Sequence, residues 1–296
     1  MSRSDRALIT PAVLRGWPLP GPGDGKESRG TALVVGGTTS TPGAVLLAGE
    51  AALRVGAGKL ILATTAATVP ALGVAVPECM TVALRATTSG NLDAESATTL
   101  ADYLSGADAV LVGPGFSDPG GSVALVQRLV EGGLTGPMVL DATASAYLTE
   151  HPSGFRGLDL RVVLTANPSE LALTAHCSVE EVEEDPIEIA TRVARDCAVV
   201  VLCGGTDKHV VTPEGDAWTF EGGGPGLGVS GSGDVQAGIV GGLLARGADA
   251  AQAAVWGAYL HGRAGERLAA EVGPLGYLAR ELVPTVPRVL AELRDH

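Results

Sequence analysis

The sequence predicts an α/β fold, a three-layer α/β/α sandwich whose central sheet is mostly parallel. Short apolar segments of strand length alternate with helix-length segments, and most of these strands end in loops rich in Gly, Pro or polar residues. Parallel sheets with helices on both faces show this alternation, because their strands are buried on both sides. Hydrophobic residues make up 46% of the chain but aromatic residues only 3%, which favours a helix-and-sheet core over a β-sandwich.

Six apolar segments are predicted as strands of the parallel sheet. They cover residues 31–35, 59–63, 109–112, 138–141, 161–165 and 198–203. Residues 208–212 and 217–221 flank the turn sequence PEGD and predict a hairpin. Helices are predicted from Pro42, over 94–104 and 123–130, up to Asp196, and from Gly233, Asp249 and Val286.

The predicted organisation is an N-terminal extension over residues 1–29 and a single domain over 30–296. The extension contains PLPGPGDGKESRG, which has too much Pro, Gly and charge for a strand, and we expect it either to wrap over the domain or to be partly mobile. No internal repeat and no linker divides the remaining sequence.

Charge and composition exclude several classes of partner. The net charge of −13 argues against nonspecific nucleic-acid binding, which needs a basic surface. No apolar segment reaches the roughly 20 residues of a membrane span, and the first residues lack a signal-peptide pattern. Four cysteines without metal-site spacing fit a reducing cytoplasm. We therefore expect a cytoplasmic protein with small-molecule partners, no nucleic acid and no membrane.

The stretch at 222–242, GGGPGLGVSGSGDVQAGIVGG, is the strongest candidate for an active site. It predicts a loop that leads into an apolar helix, and the first N–H groups of a helix bind anions because they lack partners within it. Asp234 stands where the loop becomes helix and could take the proton of a hydroxyl group that attacks a phosphoryl group. The structural alternative is a tight turn at 231–233 with Asp234 as a helix cap.

The other distinctive loops also follow strands, so we expect them on one rim of the sheet, where ligands bind in such folds. Asp141 ends a strand and is either an active-site acid or a helix cap, of which the cap is favoured. Asn167 and Glu170 have the spacing of a capping box. Glu170 is equally a candidate to hold Mg²⁺ through water near phosphates.

The lysines and histidines offer fewer candidates for the site. Lys208 is the one lysine considered for a phosphate contact, because it follows the loop CGGTD. The five histidines have no metal-site spacing and are interpreted as surface or packing residues. Neither a P-loop nor a Rossmann motif is present.

In order, these motifs resemble those of the ADP- or ATP-dependent NAD(P)H-hydrate dehydratases, a branch of the ribokinase-like superfamily. The similarity covers nearly all of residues 26–293. It is carried by VVGGTTSTPGAVLLAGEAALRVGAG, VGPGF, LDATA, LTANPSE, VVLCGG, GLGVSGSGDVQAGIVGGLLARG and AYLHGRAG. Each motif is short, whereas their order and spacing together are specific.

The resemblance implies a ribokinase-like repair enzyme in which ADP or ATP, with Mg²⁺, phosphorylates the ring hydroxyl of hydrated NADH or NADPH (NADHX or NADPHX). Loss of phosphate then restores NADH or NADPH. Asp234 matches the catalytic acid of the family and would act as the base. The residues matched to the hydrate site are Ala44, Gly115, Asn167 and Asp234, and those matched to the nucleotide site are Cys203, Gly204, Gly205, Thr206, Asp207, Gly231, Ser232 and Gly233. A homo-oligomer such as a tetramer is also implied.

Three positions depart from the family pattern. Cys203 stands where the family usually has Lys, Asn167 where it has His, and Val229 where it has Thr. Asn167 and Glu170 instead form the NxxE pattern of the superfamily's sugar and vitamin kinases. The departures leave two alternatives open, a ribokinase-like kinase of a small vitamin precursor and a weakly active nucleotide-binding paralogue.

Overall fold

Ten β-strands and twelve α-helices make up the part of the chain that this computed structural model describes, residues 6–293 apart from 22 and 159. The strands are β1 (Ala7–Leu8), β2 (Thr31–Val35), β3 (Lys59–Thr65), β4 (Cys79–Leu84), β5 (Ala109–Val112), β6 (Gly136–Leu140), β7 (Leu160–Ala166), β8 (Val200–Cys203), β9 (Lys208–Val211) and β10 (Ala217–Phe220). The helices are α1 (Pro11–Gly16), α2 (Pro42–Arg54), α3 (Val69–Ala75), α4 (Ala97–Leu104), α5 (Pro119–Glu131), α6 (Ala146–Glu150), α7 (Pro168–Ala175), α8 (Val179–Glu184), α9 (Pro186–Cys197), α10 (Ser232–Ala245), α11 (Ala250–Glu271) and α12 (Ala279–Glu292).

The strands form one sheet in the order β1-β10-β9-β8-β7-β6-β5-β2-β3-β4. The seven strands from β8 to β4 are parallel, whereas β9 is antiparallel to both β8 and β10. All five residues of β2 are buried, and Leu33 lies between Ile61 of β3 and Val110 of β5. Because the strands are parallel, the loops after their carboxyl ends collect on one rim.

Two apolar cores lie on the two faces of the sheet. Ala32 and Val34 of β2 belong to the core formed with α2, α10, α11 and α12. Leu33 and Val35 point the opposite way, into the core formed with α5, α7 and α9. Successive strand residues face opposite sides, so β2 is covered by helices on both faces. The predicted three-layer α/β/α sandwich with a mostly parallel sheet is confirmed.

The helix α10 lies directly against α2 because two glycines allow their backbones to meet. A Cβ atom on Gly238 would lie 2.1 Å from the carbonyl oxygen of Ala48, and one on Gly242 would lie 2.6 Å from that of Ala52. Any side chain at these positions would separate the helices. The close packing fixes α10, whose first turn reaches the rim of the sheet.

Residues 6–20 contact the edge of the sheet and α11. The strand β1 pairs with β10, and the N–H of Ile9 donates to the carbonyl of Thr219 at 2.8 Å. The carbonyl of Trp17 accepts a hydrogen bond from Nε1 of Trp256 at 2.9 Å. Neither β1 nor α1 was expected from the sequence, and the domain boundary at residue 30 stays a prediction.

The last helix differs from its prediction. It begins at Ala279 rather than at Val286, although Pro284 and Pro287 lie inside it. Prolines disfavour helix interiors because they lack an N–H donor. Burial of Val283 and Val286 against neighbouring helices outweighs that local preference.

Smaller differences concern the strands. β3 extends to Thr65, beyond the predicted end at residue 63. β8 begins at Val200 rather than at Ala198, because Ala198 ends α9 in a left-handed conformation with φ +57°. The edge strand β4 and the helix α3 before it were not predicted.

Candidate active site

A cavity of about 480 Å³ opens on the rim of the sheet, between the ends of β6, β7 and β8 and the first turn of α10. The predicted site residues that line it are Asn167, Glu170, Gly204, Gly205, Thr206, Gly231, Ser232, Gly233 and Asp234. The structure therefore brings together the loops TANPSE, CGGT and GSGD, which are far apart in the sequence.

Ala44 and Gly115 lie outside this lining but adjoin Asp234. The backbone N–H of Gly115 faces the Asp234 carboxylate. Thr41 Oγ1 donates to the carbonyl of Gly115 at 2.6 Å. Gly115 has φ +73°, and a Cβ atom there would lie 2.6 Å from that of Ala44. Asp234 thus stands where the cavity meets the loops before α2 and after β5.

Asp234 is the third residue of α10, after Gly231 at the N-cap with φ +90°. Burial raises the pKa of Asp234 to about 6; the Gly115 N–H opposes this shift and the Glu170 carboxylate adds to it. The N–H groups of Gly233 and Asp234 lie in the first turn and have no partner within the helix. A carboxylate that holds a proton weakly at neutral pH therefore stands beside donors suited to phosphate.

Asp141 is a buried acid of the same cavity. Its Oδ1 accepts a hydrogen bond from Thr165 Oγ1 at 2.6 Å. Burial, followed by the charges of Asp234 and Glu170, raises the pKa of Asp141 well above its usual value. Asp141 precedes a short 3₁₀ helix, but its side chain makes no capping hydrogen bond, so the favoured interpretation as a cap was wrong.

Asn167 and Glu170 form the predicted capping box at the start of α7. The Asn167 N–H donates to Glu170 Oε2 and the Glu170 N–H donates to Asn167 Oδ1, both at 2.9 Å. Both residues also line the cavity. Among the described residues, the capping box engages only Oε2 of the Glu170 carboxylate.

The loop between β8 and β9 carries the predicted nucleotide residues from Cys203 to Asp207. Cys203 and Asp207 do not line the cavity, whereas Gly204, Gly205 and Thr206 do. Cys203 is 2% exposed, and burial raises the pKa of its thiol to about 12, so it carries no charge. Lys208 follows the loop and lines the cavity.

The sequence did not reveal that one histidine lines the cavity. His261 of α11 lines the cavity, and its Nε2 lies 2.9 Å from Ser232 Oγ. The interpretation as a packing residue accounts for its burial but not for this contact. The available signal was its position within the motif AYLHGRAG, yet only the fold brings α11 to the first turn of α10.

Two features are absent from the described residues, a membrane-spanning helix and a cluster of metal-binding side chains. None of the helices is both long and apolar enough to cross a membrane. No cluster of three or more His, Cys, Asp or Glu side chains could by itself hold a metal ion.

The fold and the site define a ribokinase-like protein with a phosphate-suited helix terminus and a buried carboxylate. The family model described as NAD(P)H-hydrate dehydratase matches residues 32–288. The chain belongs to this family, which confirms the resemblance drawn from the motifs.

Comparisons with individual relatives support the same family assignment. The chain is 42% identical over 285 residues to the ADP-dependent (S)-NAD(P)H-hydrate dehydratase of Xanthomonas campestris pv. campestris, covering 96% of each chain. It is 34% identical to the bifunctional NAD(P)H-hydrate repair enzyme Nnr of Moorella thermoacetica, of which it spans 50%. A crystal structure of the ADP/ATP-dependent NAD(P)H-hydrate dehydratase from Bacillus subtilis, co-crystallised with ATP/Mg²⁺, has a TM-score of 0.83 at 28% identity and covers 98% of this chain and 99% of its own.

Proposed function

We propose that this protein catalyses the ADP-dependent dehydration of NADHX and NADPHX to NADH and NADPH. The observation that carries the proposal is Asp234, a half-buried acid in the first turn of α10 that lines the cavity and faces Gly115. The activities named for the relatives from X. campestris and B. subtilis support the same reaction.

The proposed reaction has two stages. Asp234 takes the proton of the ring hydroxyl as its oxygen attacks the β-phosphorus of ADP, and the bond from that phosphorus to the bridging oxygen breaks to release AMP. The carbon–oxygen bond then breaks with its electron pair leaving on phosphate. Loss of a proton from the neighbouring ring carbon restores the double bond. A base with a pKa of about 6 is mostly ionised at pH 7 yet still accepts a proton readily.

The phosphate groups would lie at the first turn of α10. The backbone at Gly231, Ser232 and Gly233 would bind the transferred phosphoryl group with help from the helix dipole. Glu170 fits Mg²⁺ held through water, since this carboxylate lines the cavity and Mg²⁺ uses few carboxylates together with phosphates. When bound, the ion would neutralise charge on the phosphates.

The remaining assignments follow the family matches. Ala44, Gly115 and Asn167 would contact the hydrate, and the loop from Cys203 to Asp207 would contact the adenine nucleotide. The contact of Ala44 with Gly115 beside Asp234 supports the first of these. Four free cysteines support a cytoplasmic location. The homo-oligomer stays a prediction.

The second candidate is a small-molecule kinase. This kinase function is favoured by Asn167 and Glu170, which form a capping box on the cavity wall. The two residues give this chain the NxxE pattern of the superfamily's kinases. A kinase would leave a stable phosphorylated product. A weakly active paralogue, the third alternative, would bind ADP without turnover.

The experiment supplies NADHX, Mg²⁺ and either ADP or ATP and follows the return of NADH absorbance. We expect recovery that depends on the nucleotide and is faster with ADP. In Asp234→Asn we expect turnover to fall by about 10² or more with ADP binding retained, since a general base contributes about 10²–10⁴. Asp102→Asn, at an exposed position of α4, is the matched control for the change in charge. Near-normal turnover in Asp234→Asn overturns the role of Asp234.

A further inference from the structure

Lys208 lines the cavity, and among the described residues its ammonium group makes a single hydrogen bond. The residue is 7% exposed and lines the cavity. Its Nζ donates to the carbonyl of Gly204 at 3.3 Å. Among the described residues, no carboxylate lies within 4 Å of this nitrogen. An ammonium has three donors, and a buried charge is costly unless it is paired.

The charges of the cavity are divided between two ends. The carboxylates of Asp234 and Glu170 act on Asp141 and raise its pKa. The charge of Lys208 acts instead on Cys203 and His261, the groups of β8 and α11 around it. An anion that entered the cavity would therefore be repelled near Asp234 and Glu170 and attracted near Lys208.

The nucleotide loop and the first turn of α10 both border the end that holds Lys208. Lys208 Nζ donates to the carbonyl of Gly204 in the loop, and its charge acts on His261, whose Nε2 lies 2.9 Å from Ser232 Oγ in the first turn of α10. In the proposed function the adenine nucleotide lies along the loop and the transferred phosphoryl group at the helix. The phosphates that join them would then pass the ammonium.

We propose that Lys208 is the cation that binds the phosphate chain of ADP in this protein. The inference rests on the proposed function for the identity of the nucleotide. It gives Lys208 a role that the neutral thiol of Cys203 cannot fill, because only the ammonium carries a positive charge. The ordinary alternative is that Lys208 only supports the loop through Gly204.

The test measures the binding of ADP and of adenosine, each with Mg²⁺, by calorimetry at pH 7.5. Lys208→Met removes the charge and keeps an apolar side chain of similar length. We expect its Kd for ADP to rise about tenfold or more, in line with the loss of a charged hydrogen bond, and its Kd for adenosine to change less than twofold. Lys26→Met, at an exposed position, makes the same change in charge and should bind ADP as the wild type does.

A second measurement uses the unaltered protein. Burial lowers the pKa of Lys208 to about 8, so ADP affinity should fall between pH 7.5 and 9 while adenosine affinity stays constant. The groups that surround Lys208 do not account for such a fall, but Asp141 of the same cavity also has a raised pKa, so the titration is repeated in Asp141→Asn, where the fall should remain. Burial holds the pKa of Cys203 at about 12 and that of His261 at about 3, and it lowers that of His209.

The outcomes separate this inference from the proposed function. ADP binding that depends on Lys208, without NADHX turnover, keeps the role of Lys208 and removes the dehydratase. Unchanged ADP binding in Lys208→Met, or an equal loss for ADP and adenosine, overturns the role. If the variant does not fold, a flat pH dependence of ADP binding in the wild type overturns it. A wild type that binds no ADP contradicts both.

Discussion

Ser232 Oγ and His261 Nε2 are joined by a buried hydrogen bond of 2.9 Å that connects the first turn of α10 to α11. Burial, helped by the charge of Lys208, lowers the pKa of His261 to about 3, so the ring is neutral. Within the described residues its Nδ1 has no hydrogen-bond partner. The pair therefore holds the first turn of α10 on α11 without adding charge to the cavity.

A double-mutant cycle measures this link. In Ser232→Ala and His261→Leu we expect a coupling free energy of about 0.5–1.5 kcal/mol, the usual net contribution of an intramolecular hydrogen bond. Urea unfolding of both single variants, the double variant and the wild type gives the value. If the losses of unfolding free energy in the two single variants add to that of the double variant within about 0.3 kcal/mol, the hydrogen bond does not stabilise the fold.

Two glycines of α10 should respond oppositely to alanine. Among the described residues beyond its own helical turn, nothing lies within 4 Å of a Cβ atom built on Gly233, which lines the cavity, whereas a Cβ atom on Gly238 would meet the backbone of Ala48. Gly233→Ala should keep or raise the unfolding temperature and weaken ADP binding about tenfold. Gly238→Ala should lose about 1–3 kcal/mol of stability, because α2 and α10 must separate. Thermal unfolding and calorimetry check both, and an unstable Gly233→Ala contradicts the account.

The raised pKa of Asp141 gives stability a definite pH dependence. Its carboxyl is neutral in the folded protein above the pH at which the unfolded chain ionises. The stability is therefore complete at pH values below the ordinary pKa and is lost as the pH rises toward the folded-state pKa. Asp141→Asn keeps a neutral side chain with an oxygen acceptor for Thr165. We expect it to unfold about 2 °C or more above the wild type at pH 8, with the difference closing at pH 4. A lower unfolding temperature at pH 8 refutes this.

The pH profile of turnover should report Asp234. Because the base must be ionised, kcat/KM should fall as the pH drops below about 6, approaching tenfold per pH unit. Steady-state rates between pH 5 and 8 provide the profile. Asp141→Asn is the control, and its acid limb should remain near the same pH. A profile that is flat from pH 5 to 7 excludes Asp234 as the base.

Much of the fold and part of the candidate site were predictable, for identifiable reasons. Buried strands such as β2 are continuous apolar segments, and the glycines around Asp234 mark its loop directly. The sequence places Asp141 at a strand end but does not show that its side chain turns to Thr165 instead of capping. The positions of Lys208 and His261 depend on contacts with distant segments, which local patterns do not encode.

Elements that depend on tertiary contacts were missed for the same reason. β1 has only two residues and exists because β10 pairs with it. α12 continues through Pro284 and Pro287 because its apolar face is buried. In each case packing between distant segments overrides the local preference.

The most direct test of the central claim is the stoichiometry of one reaction. NADHX, ADP and Mg²⁺ are incubated with the protein, and NADH, AMP and inorganic phosphate are measured in the same samples. The account predicts the three products in equal amounts, formed about 10² or more times more slowly with Asp234→Asn. A phosphorylated hydrate that accumulates without NADH, or NADH that forms without consumption of ADP, contradicts it.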